Sequence, residues 1–308
     1  MSPHRYLITG GSGFLGHIIG DFLKKTGNIV ITLGRAHNDI NTDITKPVEL
    51  DNELDIDVVI HTAGKAHITP RTKRESLSFF EINFQGTRNL CYALDRLKKI
   101  PKSFIFISTV SVYGLDKGYL INESQKLKGI TPYAKSKIAA EEWLKIWTKK
   151  KGIKLSILRL PLIAGPNPPG NLGSMIAGIR SGYYVSIGKA NSRKSMVWAE
   201  DIAQIIPKVS EIGGIFNLTD GYHPSFKELE DTIAIILSKK RPKQIPKLFA
   251  ILAGYAGDLF GSRFPVNTDK IKKITSTLTF DDMRARKRLG WTPSNVLEKL
   301  SETLNPNQ

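Results

Sequence analysis

A chain of 308 residues, 41% hydrophobic and 24% charged, has the balance of an ordinary folded protein with one large core or two modest ones, which excludes disordered, collagenous and fibrous readings. Its 45 basic and 28 acidic residues leave a formal charge of +17, which favours an anionic partner (nucleic acid, anionic lipid or a small phosphorylated ligand) without choosing among them. A single cysteine, Cys91, excludes an internal disulfide and any cysteine-built metal site, and it fits a reducing cytoplasm.

In chain order, Arg5 to Thr9 is a short apolar run that reads as a strand, reached from Met1 without a signal-peptide h-region. A helical pattern from Phe14 to Lys25 follows, then a strand from Ile29 to Leu33. The alternation continues with a strand at Val58 to His61, one long helix from about Glu75 to Lys99 and a strand at Phe104 to Ser108. A helix from about Pro132 to Lys150 and a strand at Lys154 to Leu158 complete it. Such βαβ alternation implies a parallel sheet covered by helices on both faces.

Beyond Arg159 the texture changes. Prolines and glycines form a loop before a helix from about Leu172 to Ser181, Gly214 to Leu218 reads as a strand returning to the first sheet, and residues 225 to 308 are mostly helical. The predicted fold class is α/β: a Rossmann-type doubly wound parallel sheet at 1–160, joined by the strand near 214–218. Residues 161–308 form a smaller, mostly helical substrate-binding region interleaved with it. No run reaches the ~20 apolar residues that a bilayer span requires.

Gly10, Gly13 and Gly16 fall between the first strand and its helix, with Phe14 and Leu15 opening that helix. In this position glycines permit a tight turn and let a pyrophosphate approach the backbone and the helix N-terminus, so the loop reads as a dinucleotide site. The second strand ends in Gly34-Arg35, with Asp39 the nearest acid. An acid at that place bonds the ribose 2′-hydroxyl of NAD, whereas an arginine accommodates the 2′-phosphate of NADP. Arg35 therefore favours NADP(H), with NAD(H) still open and an exposed arginine without a role as the plain alternative.

Tyr133 and Lys137 are four residues apart at the start of a helix and share a face. An ammonium beside a phenol is expected to lower the phenol's pKa and fit it for acid/base work. The strand Phe104 to Ser108 runs into the hydroxyl residues Ser108, Thr109 and Ser111, and ligands of parallel sheets bind at such strand ends.

With these residues in place, the chain closely resembles the extended short-chain dehydrogenase/reductase family, also called the NAD-dependent epimerase/dehydratase family, over nearly its whole length. The resemblance implies that Thr109 hydrogen-bonds the reacting sugar oxygen. It makes Tyr133 the acid/base and Lys137 the residue that holds the nicotinamide ribose. Thr42-Asp43-Ile44 resembles the family's adenine-contacting pair, although Asp43 equally suits a turn cap. His61-Thr62-Ala63-Gly64 resembles its cofactor loop and Asn83 to Thr87 its NxxGT element, although Asn83 also suits a satisfied helix polar group.

On the substrate side, Asn171 falls where the family contacts the substrate's diphosphate. Lys194 takes a phosphate-binding arginine's place, and Arg193 stands beside it. Arg159 to Pro166 and Leu289 to Pro293 resemble further family segments, the second a packing element. His67, Tyr113, Tyr183 and Tyr184 have no motif that ranks them above packed or surface residues, and no cluster has metal-ligand spacing.

The family acts mainly on nucleotide-activated sugars. Thr109 is followed by Val110-Ser111 rather than by the acidic pair of a 4,6-dehydratase, which leaves two reactions. One is reduction of a 4-keto hexose with exchangeable NADPH, for surface-polysaccharide precursors. The other is UDP-hexose 4-epimerisation with tightly held NAD. A non-catalytic dinucleotide-binding or nucleic-acid-binding protein is a third reading. The intact Thr109, Tyr133 and Lys137 set argues against it, as does the dispersal of basic residues, so no nucleic-acid partner is expected. The run Leu248 to Phe260, flanked by Lys243 and Lys247, suits a packed helix, a homodimer interface or weak association with a membrane surface.

Overall fold

The computed structural model describes residues 3–66, 68–260 and 268–304; His67 lies outside them. From the N-terminus, β1 (Arg5–Thr9) leads through the glycine loop into α1 (Phe14–Lys25), β2 (Ile29–Gly34) and a two-residue β3 (Ile40–Asn41). Next come β4 (Val58–His61), α2 (Lys73–Phe80), a π-helical turn at Glu81–Gln85 and α3 (Gly86–Leu94). β5 (Ser103–Thr109) is followed by β6 (Gly118–Ile121), α4 (Pro132–Lys151) and β7 (Lys154–Leu160). The C-terminal half contains β8 (Leu162–Ala164), α5 (Gly170–Ser181), β9 (Val185–Ile187), β10 (Met196–Trp198), α6 (Ala199–Ile212) and β11 (Gly214–Asn217). It ends with α7 (Phe226–Ile236), β12 (Lys243–Ile245), α8 (Lys247–Phe260), α9 (Thr268–Thr275), β13 (Leu278–Phe280), α10 (Met283–Leu289) and α11 (Val296–Thr303).

Seven strands form one all-parallel sheet in the order β3-β2-β1-β4-β5-β7-β11. Chain direction across the sheet reverses between β1 and β4, and a crevice opens there at the strand C-termini. Alternate residues of each strand feed opposite cores. Leu7, Val59, Phe104 and Phe106 pack with Leu90, Leu94, Leu144 and Trp147 of α3 and α4. Ile8, Ile60, Ile105 and Ile107 pack with Ile19 and Leu23 of α1 and with Ile202 and Ile206 of α6. Burial on both faces explains why these strands are apolar throughout.

The helix expected from Glu75 to Lys99 is shorter and broken. It begins at Lys73 under the Thr72 side-chain cap, yields to the π-turn, and ends at Leu94. The π-turn carries the buried Asn83, whose side chain bonds the loop after β4 instead of continuing a regular helical face. β11 returns to the sheet edge as expected, pairing with β7 from Gly214–Ser156 to Asn217–Arg159. Helices α5, α7 and α11 pack on β10 to form a separate small core. Two ties fix this region to the sheet: Asp201, in the first turn of α6, accepts from Ser294 N and Oγ at 2.7 and 3.0 Å, and Trp291 Nε1 donates to Thr219 O at 2.9 Å.

Candidate active site

The crevice is lined first by the glycine loop. Gly10 sits at φ +72°, where a Cβ would lie 2.9 Å from Ala63 N, and a Cβ on Gly16 would overlap the Gly10 carbonyl, so both positions require glycine. No side chain caps the N-terminus of α1 and no acid stands in its first turn, which leaves the positive end of a 12-residue helix facing the crevice. Leu15 is buried in the core beneath. Phe14 lies against the place a Gly165 Cβ would take, tying the loop to the C-terminal region.

At the neighbouring strand end, Arg35 is exposed just past β2. The nearest acid is not free, because Asp39 accepts from Thr32 N and Oγ1, both at 2.8 Å, and these bonds hold its carboxyl below the usual range. Sequence reasoning overlooked Asn38. Its Nδ2 donates to Ala36 O at 2.6 Å and Ser12 Oγ at 3.4 Å, so it bridges the end of β2 and the glycine loop. Among the described residues its Oδ1 is buried without a partner, and it lies 2.9 Å from where a Gly11 Cβ would stand. A buried acceptor left open beside an uncapped helix end is what a bound polyhydroxyl ligand would satisfy, so the residues present fit a dinucleotide. Asp43 caps a turn through Thr45 N at 2.9 Å, while Ile44 is buried beside Gly86.

The loop after β4 is held by a chain of hydrogen bonds. Thr87 Oγ1 donates to Asn83 O at 2.7 Å and so accepts from His61 Nε2 at 2.9 Å. That assignment leaves Nδ1 of His61 to accept from Thr9 Oγ1 at 2.6 Å, and Thr9 Oγ1 accepts in turn from Ala63 N at 3.3 Å. Burial holds His61 down at about 3, so the ring is neutral and fixed in one tautomer. Thr62 Oγ1 donates to Thr9 O at 2.7 Å. Asn83 accepts from Lys65 N at 2.6 Å and donates to Lys65 O and Ser136 Oγ at 3.1 and 3.0 Å, joining this loop to α4. A Cβ on Gly64 would stand 3.0 Å from Asn83 Oδ1 and 3.3 Å from Lys137 Nζ, which leaves a cradle there.

Across the crevice, Thr109 ends β5 and its Oγ1 contacts Ser111 N and Oγ at 3.2 Å. The half-buried Tyr133 phenol lies near enough to Thr109 for that side chain to act on its ionisation. The expected lowering of the Tyr133 pKa needs correction. Burial raises the Tyr133 pKa above its ordinary value, and the neighbouring Thr109 side chain only partly opposes this. Lys137 Nζ donates to Ile107 O at 2.8 Å and lies 4.5 Å from the Phe106 ring centroid. Burial brings Lys137 down to about 8, with the Glu141 carboxylate opposing.

Below these residues, the fully buried Glu141 grips Arg159 bidentately, Nε to Oε1 at 3.1 Å and Nη2 to Oε2 at 2.7 Å, and accepts from Ser108 Oγ at 2.6 Å. Arg159 Nη1 reaches Tyr113 OH at 3.3 Å, and Tyr113 OH donates to Asn217 Oδ1 at 2.7 Å. This network ties the ends of β5, β7 and β11 to α4. Glu141, Ser108 and Tyr113 carried no motif strong enough to single them out, although Glu141 stands one further helical turn beyond Lys137.

On the substrate side the residues separate. Asn171 is exposed in the first turn of α5. Arg193 donates to His223 O at 2.9 Å and pairs with Glu228 at 3.5 Å, so its guanidinium is engaged with the start of α7 and does not stand beside Lys194 as a second phosphate ligand. Burial lowers Lys194 to about 8, with the Asp116 charge opposing and the Lys273 charge reinforcing. Among the described residues, no group of three His, Cys, Asp or Glu could hold a metal ion.

Fold and site together define a Rossmann-type α/β protein with a site for a nicotinamide dinucleotide. The profile of the NAD dependent epimerase/dehydratase family matches residues 6–218, and the chain belongs to that family of nucleotide-sugar epimerases, dehydratases and reductases. It is 26% identical to the N-acetyl-alpha-D-glucosaminyl-diphospho-ditrans,octacis-undecaprenol 4-epimerase of Escherichia coli O157:H7, over 97% of this chain and 93% of the relative. Identity to the GDP-6-deoxy-D-mannose reductase of Pseudomonas aeruginosa is 26%, over 75% of this chain and 80% of the relative. The UDP-glucose 4-epimerase of Thermotoga maritima with UDP-glucose shares the fold, with a TM-score of 0.76 at 22% identity and 97% of each chain covered. RMD from Pseudomonas aeruginosa complexed with NADPH does so at a TM-score of 0.75 and 22% identity, covering 98% of this chain and 96% of that one.

Proposed function

We propose that the protein is an NADPH-dependent oxidoreductase that reduces the 4-keto group of a nucleotide-activated hexose. The β2 strand end carries this reading: Arg35 is exposed there, and the carboxylate nearest in the chain, Asp39, is bonded to Thr32. A 2′-phosphate would meet a cation at that place. The backbone of Gly10, Gly13, Phe14, Leu15 and Gly16 would hold the pyrophosphate, Arg35 and Asn38 the adenosine ribose, and Asp43 and Ile44 the adenine. Thr62, Ala63, Gly64 and Asn83 would frame the nicotinamide side with Tyr133 and Lys137. When bound, the dinucleotide supplies a hydride to the carbonyl carbon.

The chain's own residues supply the proton and the orientation. Thr109 and the neighbouring Tyr133 would both address the carbonyl oxygen, and the raised Tyr133 pKa keeps the phenol protonated at neutral pH. A proton donor is what reduction needs at the outset, because the oxygen must gain a proton as its carbon gains hydride. Lys137, charged below about pH 8 and bonded to Ile107 O, would hold the nicotinamide ribose. Lys194 and Lys273, with Asn171, would hold the substrate's diphosphate. Residues 1–160 with β11 would form the dinucleotide domain and 161–308 the substrate side.

The relatives' names favour a second reading, 4-epimerisation with retained NAD, since several are 4-epimerases. The two readings separate when purified protein is mixed with NADPH or NADH and a UDP-4-keto-hexose while the absorbance of reduced cofactor is recorded. Stoichiometric loss, faster with NADPH, is the expected result. Copurified NAD⁺ and interconversion of C4 epimers without net change in absorbance would establish the epimerase instead.

A further inference from the structure

Helix α8 reverses the usual order of an amphipathic helix. Its small residues Ala250, Gly254 and Gly257 are buried, and a Cβ on Gly254 would lie 2.6 Å from Ile271 Cδ1 of α9, so α9 is seated where the helix is narrowest. The large residues face outward instead: Leu248, Phe249, Leu252 and Tyr255 are 66, 63, 55 and 60% exposed. At 100° per residue these four fall within one third of the helix circumference, and Ala253 lies beside them. A folded protein that exposes a contiguous apolar stripe of this kind marks an interaction surface.

The stripe is bordered by charge of one sign. Lys239, Lys240, Arg241, Lys243 and Lys247 are all exposed on the segment that leads into α8, which contains no acid between 239 and 247. Among the described residues, Arg241 alone of these five pairs with an acid, Asp231 at 3.3 Å. The helix is about 21 Å long at 1.5 Å per residue, and no helix among the described residues is long and apolar enough to cross a membrane. An outward stripe of Leu, Phe and Tyr with lysines at its edge suits a helix lying in the plane of a bilayer interface, where aromatic and aliphatic groups enter the acyl boundary and ammonium groups meet anionic headgroups.

We infer that α8 is a docking surface for an anionic lipid bilayer. This goes beyond the proposed reaction and does not depend on it. The charges decide against a second copy of the chain, because a two-fold interface built on α8 would bring the basic segment near its own image. An anionic membrane turns the same five cations into attraction.

Sedimentation with vesicles tests the assignment, using the full-length protein with phosphatidylcholine vesicles and with vesicles containing equal parts of phosphatidylglycerol. Most of the protein is expected to sediment with the anionic vesicles and several-fold less with the neutral ones. Phe249→Gln with Leu252→Gln should cut the vesicle-bound ratio at least tenfold, while thermal stability and dinucleotide binding stay unchanged. Lys243→Glu with Lys247→Glu should produce a comparable loss. A control pair far from α8, Lys98→Glu with Lys149→Glu, should leave most binding intact. Three outcomes overturn the inference: no sedimentation of the wild type, an equal loss in the control pair, or a dimer in light scattering that the α8 variants dissociate without changing vesicle binding.

Discussion

The crevice between β1 and β4 and the outer face of α8 handle the same residue types in opposite ways. In the crevice, charged and polar groups are buried and matched: Glu141 with Arg159 and Ser108, His61 with Thr9 and Thr87, Asn83 with Lys65 and Ser136. On α8 large apolar groups are exposed and cations gather without acids between them. A buried matched network holds reacting groups in one geometry at high energetic stakes, whereas an exposed face can bind a partner while contributing little to folding. Most substitutions in the first region should therefore cost stability or turnover, and those in the second should cost neither.

The largest effect is expected at Tyr133. Tyr133→Phe should lower turnover by about 10²–10⁴, the contribution of a general acid, with dinucleotide affinity by fluorescence titration nearly unchanged. Retention of wild-type turnover would remove the phenol from the chemistry. Next is Glu141→Ala, which strands the Arg159 guanidinium in the core and should cost about 3–5 kcal/mol in urea unfolding. Lys149→Ala, on the exposed end of the same helix, should stay within about 0.5 kcal/mol. If the two variants unfold alike, the buried network does not carry the load assigned to it.

At the rim of the crevice, Arg35→Ala should weaken NADPH by about 1.5–3 kcal/mol through loss of a charge-assisted contact, and leave NADH almost untouched. Parallel titrations of the wild type that find the two cofactors equal would contradict that assignment. The pH dependence follows from Lys137. Burial favours its neutral form, so the ammonium is present below about pH 8 and lost above it, and the reduction rate should fall as pH rises through that value. Lys137→Arg should abolish that inflection, because a guanidinium stays charged throughout. The smallest effect is expected on α8, where Leu252→Ser should change stability by less than about 0.5 kcal/mol, against about 2–5 kcal/mol for Leu144→Ala in the core of α4.

Much of this was legible in the chain. The six long strands were readable because burial on both faces makes them continuously apolar, and the glycine loop because close backbone approach admits no side chain. Tyr133 and Lys137 were readable as a pair from their spacing on one helix, and Thr109 was singled out among the strand-end hydroxyls by the family resemblance. The two-residue β3 was not, since its pairing with Leu33 and Gly34 leaves no periodic signal. The helix from Glu75 to Lys99 was misread because the π-turn keeps helical composition while changing its hydrogen bonds.

The sequence by itself thus determined the order of the main strands and helices, the glycine loop between the first strand and its helix, the placement of Tyr133 and Lys137 on one helix, and the excess of positive charge. These are local: each depends on residues a few positions apart. Only the tertiary structure decided that Lys137 bonds Ile107 and burial raises the Tyr133 pKa, that Arg193 is engaged by Glu228 while burial lowers the Lys194 pKa, that Asn38 leaves an open acceptor beside the glycine loop, and that α8 presents its large side chains outward. Each of these depends on groups far apart in the chain or on which face a neighbour covers, and a pKa or an exposed stripe is set by what surrounds a side chain after packing, which local sequence does not specify.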